Sequence, residues 1–244
     1  MELLSTLGLQ GALRELVPAF EWQSGTKVNA GFGPTAVLME RIAGGAIADV
    51  AILTLAGIDQ LIANGTMQAG SRTDLARSAV GFAVRPGAQK PDISSAGAVR
   101  RTLLAAPSIV YSRAGASGIF FAGLIERLGI AAEINAKATI IPSGFTGEKL
   151  ITGEAELAVQ QISELMEVAG IDIVGALPAE LGGETVFSAG IFAASSHPDA
   201  ARAFVALLST PDALAAIAKS GLAPLVQIAQ SVASTAHHPE NTAP

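Results

Sequence analysis

The chain has no cysteine, which excludes disulfides, zinc–thiolate sites, iron–sulfur clusters and cysteine nucleophiles together. It has only three histidines, two of them adjacent at His237 and His238, which leaves no three-histidine metal site, and no metal or other cofactor is expected. Charge is sparse: charged residues make up 15% of the chain, and 15 Lys+Arg against 21 Asp+Glu give a net charge of −6. That acidic balance lacks the basic face which sequence-independent nucleic-acid binding needs, so no nucleic-acid partner is expected. Long apolar runs are missing too. The longest uncharged stretch, Ser220 to Pro239, is interrupted by Pro224, Gln227 and Gln230. It falls short of the roughly 20 apolar residues of a membrane span, so no membrane insertion is expected.

What is present is a large aliphatic content: half of the 244 residues are hydrophobic, which excludes disorder of the body and suffices for one large domain or two small ones. The pattern alternates strand and helix. Short apolar runs at Glu2–Leu7, Lys27–Phe32 and Asp49–Leu53 are each followed by a helical period, with Gly44-Gly45 and Asn64-Gly65 as stops. Further strands are expected at Ser78–Arg85, Ser108–Tyr111, Ala136–Ile141, Glu156–Gln160, Ile171–Val174 and Val186–Ala194. A helix is expected at Gly118–Leu128, and two near the end, Pro198–Leu208 and Pro211–Lys219, carry proline in the first turn. The tail from Ser234 to Pro244 reads as frayed. Such alternation implies an α/β fold of mainly parallel sheets flanked by helices. The strands at Ser78–Arg85 and Val186–Ala194 stand where a chain crosses between two lobes and returns. This gives a discontinuous first lobe, residues 1–80 plus 192–244, and a second lobe, 81–191.

Four strand-to-helix junctions carry the polar chemistry: Thr6-Leu7-Gly8, Gly33-Pro34-Thr35, Gly115-Ala116-Ser117-Gly118, and Pro142 through Gly147 with Ser143 and Gly144. Each joins glycine to a hydroxyl just before a helix, where unpaired N–H groups accept anions without help from lysine or arginine. Alone, each hydroxyl reads as an ordinary N-cap. The functional reading rests on the set converging in one cleft. Trp22 is expected to pack at a helix end, Tyr111 to close a strand beside the cleft, Asp49 to be structural, and His197 to lie on the surface.

The stretches Leu13–Phe20, Gly25-Thr26-Lys27-Val28, Phe32-Gly33-Pro34-Thr35 and Gly45 through Val50 resemble the type II periplasmic binding proteins, in particular the molybdate-binding branch of ABC-transporter substrate-binding proteins. The resemblance continues at Ala116 through Phe120, at Glu126-Arg127-Leu128-Gly129 and at Gly153 through Val159. It implies a two-lobe fold with two crossing strands as hinge, and a small anionic ligand. Carried over position by position, the family's first-loop serine falls on Gly8 and its second hydroxyl on Thr35. The second-lobe donors fall on Ser117 and near Ser143 or Gly144, and the oxyanion-binding tyrosine falls on Gln161, beside Gln160. The aspartate of the second-lobe motif is Ser112 here, followed by Arg113. Losing a serine and a tyrosine while gaining amides, and an arginine that reads equally as a solvated loop residue, points from a tetrahedral oxyanion toward a planar carboxylate.

Two functions follow. One is a solute-binding protein closing on a small organic di- or tricarboxylate, with an ABC permease as partner if the chain is exported. The other is an isomerase on the same scaffold, resembling aconitate isomerase, for which Glu148, Tyr111 or Arg113 are the nearby candidates for moving a proton. A ligand-sensing module has no sequence signal. The N-terminus has no basic segment followed by an apolar one, so the sequence as it stands points to a cytoplasmic location. The alternative is a periplasmic protein from which a leader was removed.

Overall fold

The computed structural model describes residues 1–225. From the N-terminus, β1 (Glu2–Ser5) leads into α1 (Gln10–Ser24), β2 (Asn29–Phe32) into α2 (Thr35–Ala43), and β3 (Val50–Thr54) into α3 (Leu55–Ala63). The long strand β4 (Thr73–Val84) then carries the chain to a second lobe. That lobe runs through α4 (Ala96–Ala105), β5 (Ile109–Ser112), α5 (Ala116–Arg127), α6 (Ala131–Asn135) and β6 (Ala138–Ile141). It continues with α7 (Glu148–Ile151), β7 (Leu157–Gln161), α8 (Ile162–Leu165) and β8 (Asp172–Ala176). β9 (Glu184–Ile191) returns, and α9 (Pro198–Leu207) and α10 (Pro211–Lys219) pack on the first lobe.

In the first lobe β1 lies between β2 and β3, parallel to both, and β9 joins β3 antiparallel. In the second lobe β5 lies between β6 and β7, again parallel. The central strands have no polar face. Val50–Leu53 and Ile109–Ser112 are wholly buried, as expected of parallel strands covered by helices on both sides. Each lobe accordingly has apolar packing on both faces of its sheet. The first lobe has one cluster around Leu13, Phe20, Ile52 and Phe204 and a second around Leu38, Leu53 and Ile58; the second lobe has one around Phe82, Tyr111 and Phe121 and a smaller one around Val110 and Leu150.

β4 joins the two lobes. Its first half, Thr73–Ala79, pairs with β9, and its second half, Val80–Val84, pairs with β7 and, on the other edge, with β8. The partner change falls between Ala79 and Val80. On the return, Phe187–Ile191 already pair with β3 in the first lobe's sheet, ahead of the position 191 read from the sequence.

Several local expectations need correction. Trp22 does not pack: it is 90% exposed. The buried stripe of α1 is Leu13, Leu16 and Phe20, and two residues past Phe20 a helix has turned to its opposite face. Tyr111 does not reach the cleft. Its hydroxyl donates to Asn135 Oδ1 at 2.9 Å, and its ring meets Phe121 edge-on at 5.1 Å. The helix α4 was not anticipated from the sequence; Ser95 caps it by accepting from Ala98 N. The tail from Ser234 lies outside the described residues.

Asp49 is structural. Its carboxylate accepts hydrogen bonds from Glu2 N, Ser195 Oγ and His197 N at 2.7–3.0 Å, and His197 Nδ1 lies 3.2 Å from it. Burial works against its ionisation, but these bonds, Ser195 foremost, outweigh it and hold the carboxyl down at about 2.

Candidate functional site

The carboxyl ends of β1 and β2 in one lobe, and of β5, β6 and β7 in the other, face a common narrow cavity of about 10 Å³. Such a crevice is where ligands of open α/β sheets sit. All four junctions contribute to it: Thr6 and Leu7, Pro34 and Thr35, Gly115 and Ala116, Ser143 and Gly144. Through Thr35 and Ala116 it adjoins a wider, mostly apolar groove lined by Met39, Leu55, Ile119 and Phe120.

Two of the junctions open long helices that have no side-chain cap. α2 begins after Pro34 and α5 after Gly115, and neither flanking residue supplies a cap to the first-turn N–H groups. The first backbone bonds within them are Leu38 N to Pro34 O and Ile119 N to Gly115 O, so the N–H groups ahead of these are open to a ligand. By contrast α3, whose N-cap is Thr54, is capped through Gly57 N. Two uncapped helix ends in one cavity put positive partial charge there.

The side chains complete the lining. Thr35 Oγ1 accepts from Thr54 N at 3.2 Å, which ties α2 to the end of β3. Ser112, 2% exposed, ends β5 at the cavity, and its hydroxyl has no partner among the described residues; nor has that of Ser117. Both hydroxyls lie around Gly115, and a Cβ on Gly118 would fall 1.6 Å from Ser112 O, so α5 can start this close to β5 only with glycine there. Among the described residues no lysine or arginine lines the cavity.

Three positions differ from the sequence reading. Gly8 does not line the cavity: the ring of Phe187 lies over it, 3.0 Å from where a Cβ would stand, and Phe187 itself is in the lining. An aromatic wall therefore stands where the sequence reading expected the Gly8 N–H to reach the ligand. Arg113 turns its side chain to solvent, and only its backbone is held, through its N–H to Ile141 O at 2.8 Å. Of the glutamine pair, Gln160 faces the cavity, because neighbouring side chains on a strand point to opposite sides. Its Oε1 accepts from Thr146 N and Thr146 Oγ1 at 2.7 and 2.8 Å, and its Nε2 donates to Gly144 O at 2.9 Å. Gln161 instead bridges the crossing strands, accepting from Thr185 Oγ1 and donating to the Ser78 and Ala79 carbonyls. Ser117 is fully buried one residue behind the lining.

The sequence reading missed Glu164. Among the described residues it is the one ionisable side chain lining the cavity, and it is 7% exposed. Burial pushes its carboxyl up to about 7, and the Gln160 amide beside it draws it only part of the way back. It follows a fifth strand-to-helix junction, between β7 and α8, which contains no glycine and so did not stand out. Among the described residues no three acidic or histidine side chains cluster as metal ligands, and no single helix is long and apolar enough to cross a membrane.

Residues 2–223 match the family model described as bacterial extracellular solute-binding protein. The chain is 38% identical over 231 residues to an aconitate isomerase of a Pseudomonas species, covering 92% of this chain and 88% of that protein. Its fold is similar to that of the periplasmic molybdate-binding protein of Azotobacter vinelandii, with a TM-score of 0.76 at 20% identity over 91% of this chain and 98% of the other. It is also similar to the sulfate-binding protein SubI of Mycobacterium tuberculosis H37Rv, with a TM-score of 0.73 at 17% identity over 92% and 86%. At these identities the two structures speak for the fold alone.

Proposed function

Because this chain belongs to the family of bacterial extracellular solute-binding proteins, with the two-lobe type II fold, we propose that its lobes close on a small organic di- or tricarboxylate. The observation that carries this is the mixed lining of the cavity. Open helix N-termini and the unpartnered Ser112 hydroxyl offer donors for carboxylate oxygens, while Phe187 and Leu7 offer an apolar wall for a carbon skeleton. A tetrahedral oxyanion presents oxygen on every side and has no use for an aromatic wall. A carboxyl that keeps its proton to near neutrality can also donate to a ligand carboxylate of similar basicity, a short and strong hydrogen bond. As a binding protein the chain would hand its ligand to an ABC permease.

A thermal-shift screen tests the reading, since a ligand present at 100 times its Kd stabilises the folded state by about 2.7 kcal/mol. Tricarboxylates should raise Tm well above the shift given by molybdate or sulfate. The reverse order contradicts the proposal.

A second reading is favoured by Glu164 together with the 38% identity to an aconitate isomerase: the cleft turns its ligand over rather than only holding it. A buried carboxyl poised near neutrality is the kind of group that proton transfer requires. Interconversion of cis- and trans-aconitate by the purified chain distinguishes this reading from simple binding.

A further inference from the structure

Resting on the carboxylate reading, we propose that Glu164 carries a proton between two carbons of the bound acid, so that the cleft moves a double bond along a three-carbon unit. The geometry singles out this residue. Its carboxyl is buried and stands in no ion pair among the described residues, whereas Glu167 on the next turn pairs with Arg14 at 2.9 Å and Glu156 pairs with Arg85 at 2.9 Å. A carboxyl with no counter-charge inside a protein is costly, and this one faces the ligand cavity with only the neutral Gln160 amide beside it. Among the described residues no histidine, lysine, tyrosine or second carboxylate lines that cavity to compete for the role. The three candidates read from the sequence are displaced: Tyr111 is bound to Asn135, Arg113 points to solvent, and Glu148 is not in the lining.

The step balances without a co-reactant. In an acid whose methylene adjoins a carbon–carbon double bond, ionised Glu164 takes one methylene proton. The C–H electron pair spreads over the three-carbon allylic unit and onto the attached carboxylates. That charge develops where α2 and α5 present their uncapped N–H groups, which stabilise it more than they stabilise the starting acid. Protonated Glu164 then returns the proton to the far carbon of the former double bond. The double bond has moved by one position, the bond it left is free to rotate, and no atom or electron is gained or lost. One carboxyl serves as base and then as acid, which a group poised near neutrality can do.

The test follows cis-aconitate by proton NMR in D2O with the full chain. The wild type is expected to form trans-aconitate, with deuterium entering the methylene carbon in those turnovers where protonated Glu164 exchanges with solvent before it returns the proton. Glu164→Gln should slow both by at least about 100-fold, the range lost with a positioned acid–base group. Its Kd for trans-aconitate, by calorimetry, should stay within about tenfold of wild type. Glu164→Asp, which draws the carboxyl back by one methylene, should fall between the two rates and keeps the test available if the amide variant does not fold. A Glu164→Gln protein that turns over at the wild-type rate overturns the assignment while leaving an isomerase standing. A wild type that binds aconitate yet neither converts it nor exchanges its methylene protons overturns the proton-transfer proposal and leaves the binding reading. A wild type that binds molybdate and no tricarboxylate removes both.

Discussion

Two buried carboxyls in this chain are driven in opposite directions by their surroundings, and the difference separates scaffold from site. Asp49 ionises at about 2 in the folded protein against 3.8 in an unfolded chain, so its bonds contribute stability that is complete above about pH 4 and lost as the pH falls through 2. The shift corresponds to about 2 kcal/mol. Asp49→Asn should therefore lower the stability measured by urea unfolding at pH 7 by roughly that amount, and the gap should close as the pH approaches 2. Glu164 behaves oppositely. Its folded value of about 7 exceeds the unfolded 4.5, so the folded state loses stability as pH rises between these values and bears the whole penalty above 7. Glu164→Gln should raise Tm at pH 8 and change it little at pH 4.5; an unchanged Tm at pH 8 contradicts the buried, unpaired carboxyl. Asp49 was legible as structural from the glycine-rich turn before it, whereas nothing in Ile162-Ser163-Glu164-Leu165 distinguishes a buried acid from one on a solvated first turn. What buries Glu164 is sheet and helix brought from elsewhere in the chain, so no local pattern reports it. Ser112 gives a third test. Its hydroxyl has no partner among the described residues, so Ser112→Ala should leave stability unchanged or slightly raised while weakening carboxylate binding by about tenfold or more, as loss of a hydrogen bond to a charged group does.

At the scale of elements, the site consists of the ends of strands and the starts of helices, and this is the level the sequence reports best. The apolar runs at β1, β2, β5 and β6 and the glycines after them mark where the chain turns from sheet to helix, so the four junctions could be named from spacing alone. Register could not. Whether Gln160 or Gln161 meets the cavity depends on a single-residue phase of β7, which is set by its pairing with β4, Val80 to Gln161 and Gly81 to Gln160. The displacement of Gly8 by Phe187 was hidden for the same reason, since the ring comes from β9, far away in the chain. The close approach of α5 to β5 gives an element-scale prediction. Gly118→Ala would put a methyl 1.6 Å from the Ser112 carbonyl oxygen, so α5 must shift. The variant should lose several degrees of Tm and its carboxylate response together, whereas Gly123→Ala on the same helix, whose added methyl would have only the far end of Arg127 within 4 Å, should lose neither.

For the molecule as a whole, two sheets share β4, and Gln161 is hydrogen-bonded to residues of both crossing strands at the place where β4 changes partners. We propose that a rotation of one lobe on the other at this place opens and closes the cavity, as hinge motion does in domain closure around ligands. The two-lobe plan was legible because strand–helix alternation and collinear motifs run through nearly the whole chain. The contents of the cleft were only half legible, because they depend on which side chains the two lobes bring face to face. In the proposed binding mode the uncapped starts of α2 and α5 hold a carboxylate between the lobes. A diffraction measurement on the full chain crystallised with trans-aconitate tests it most directly. The expected result is electron density for the acid with carboxylate oxygens about 3 Å from the backbone nitrogens at Thr35–Ala36 and Ala116–Ser117. Density for the acid in the apolar groove beside Ile119, with those nitrogens left facing water, would contradict it.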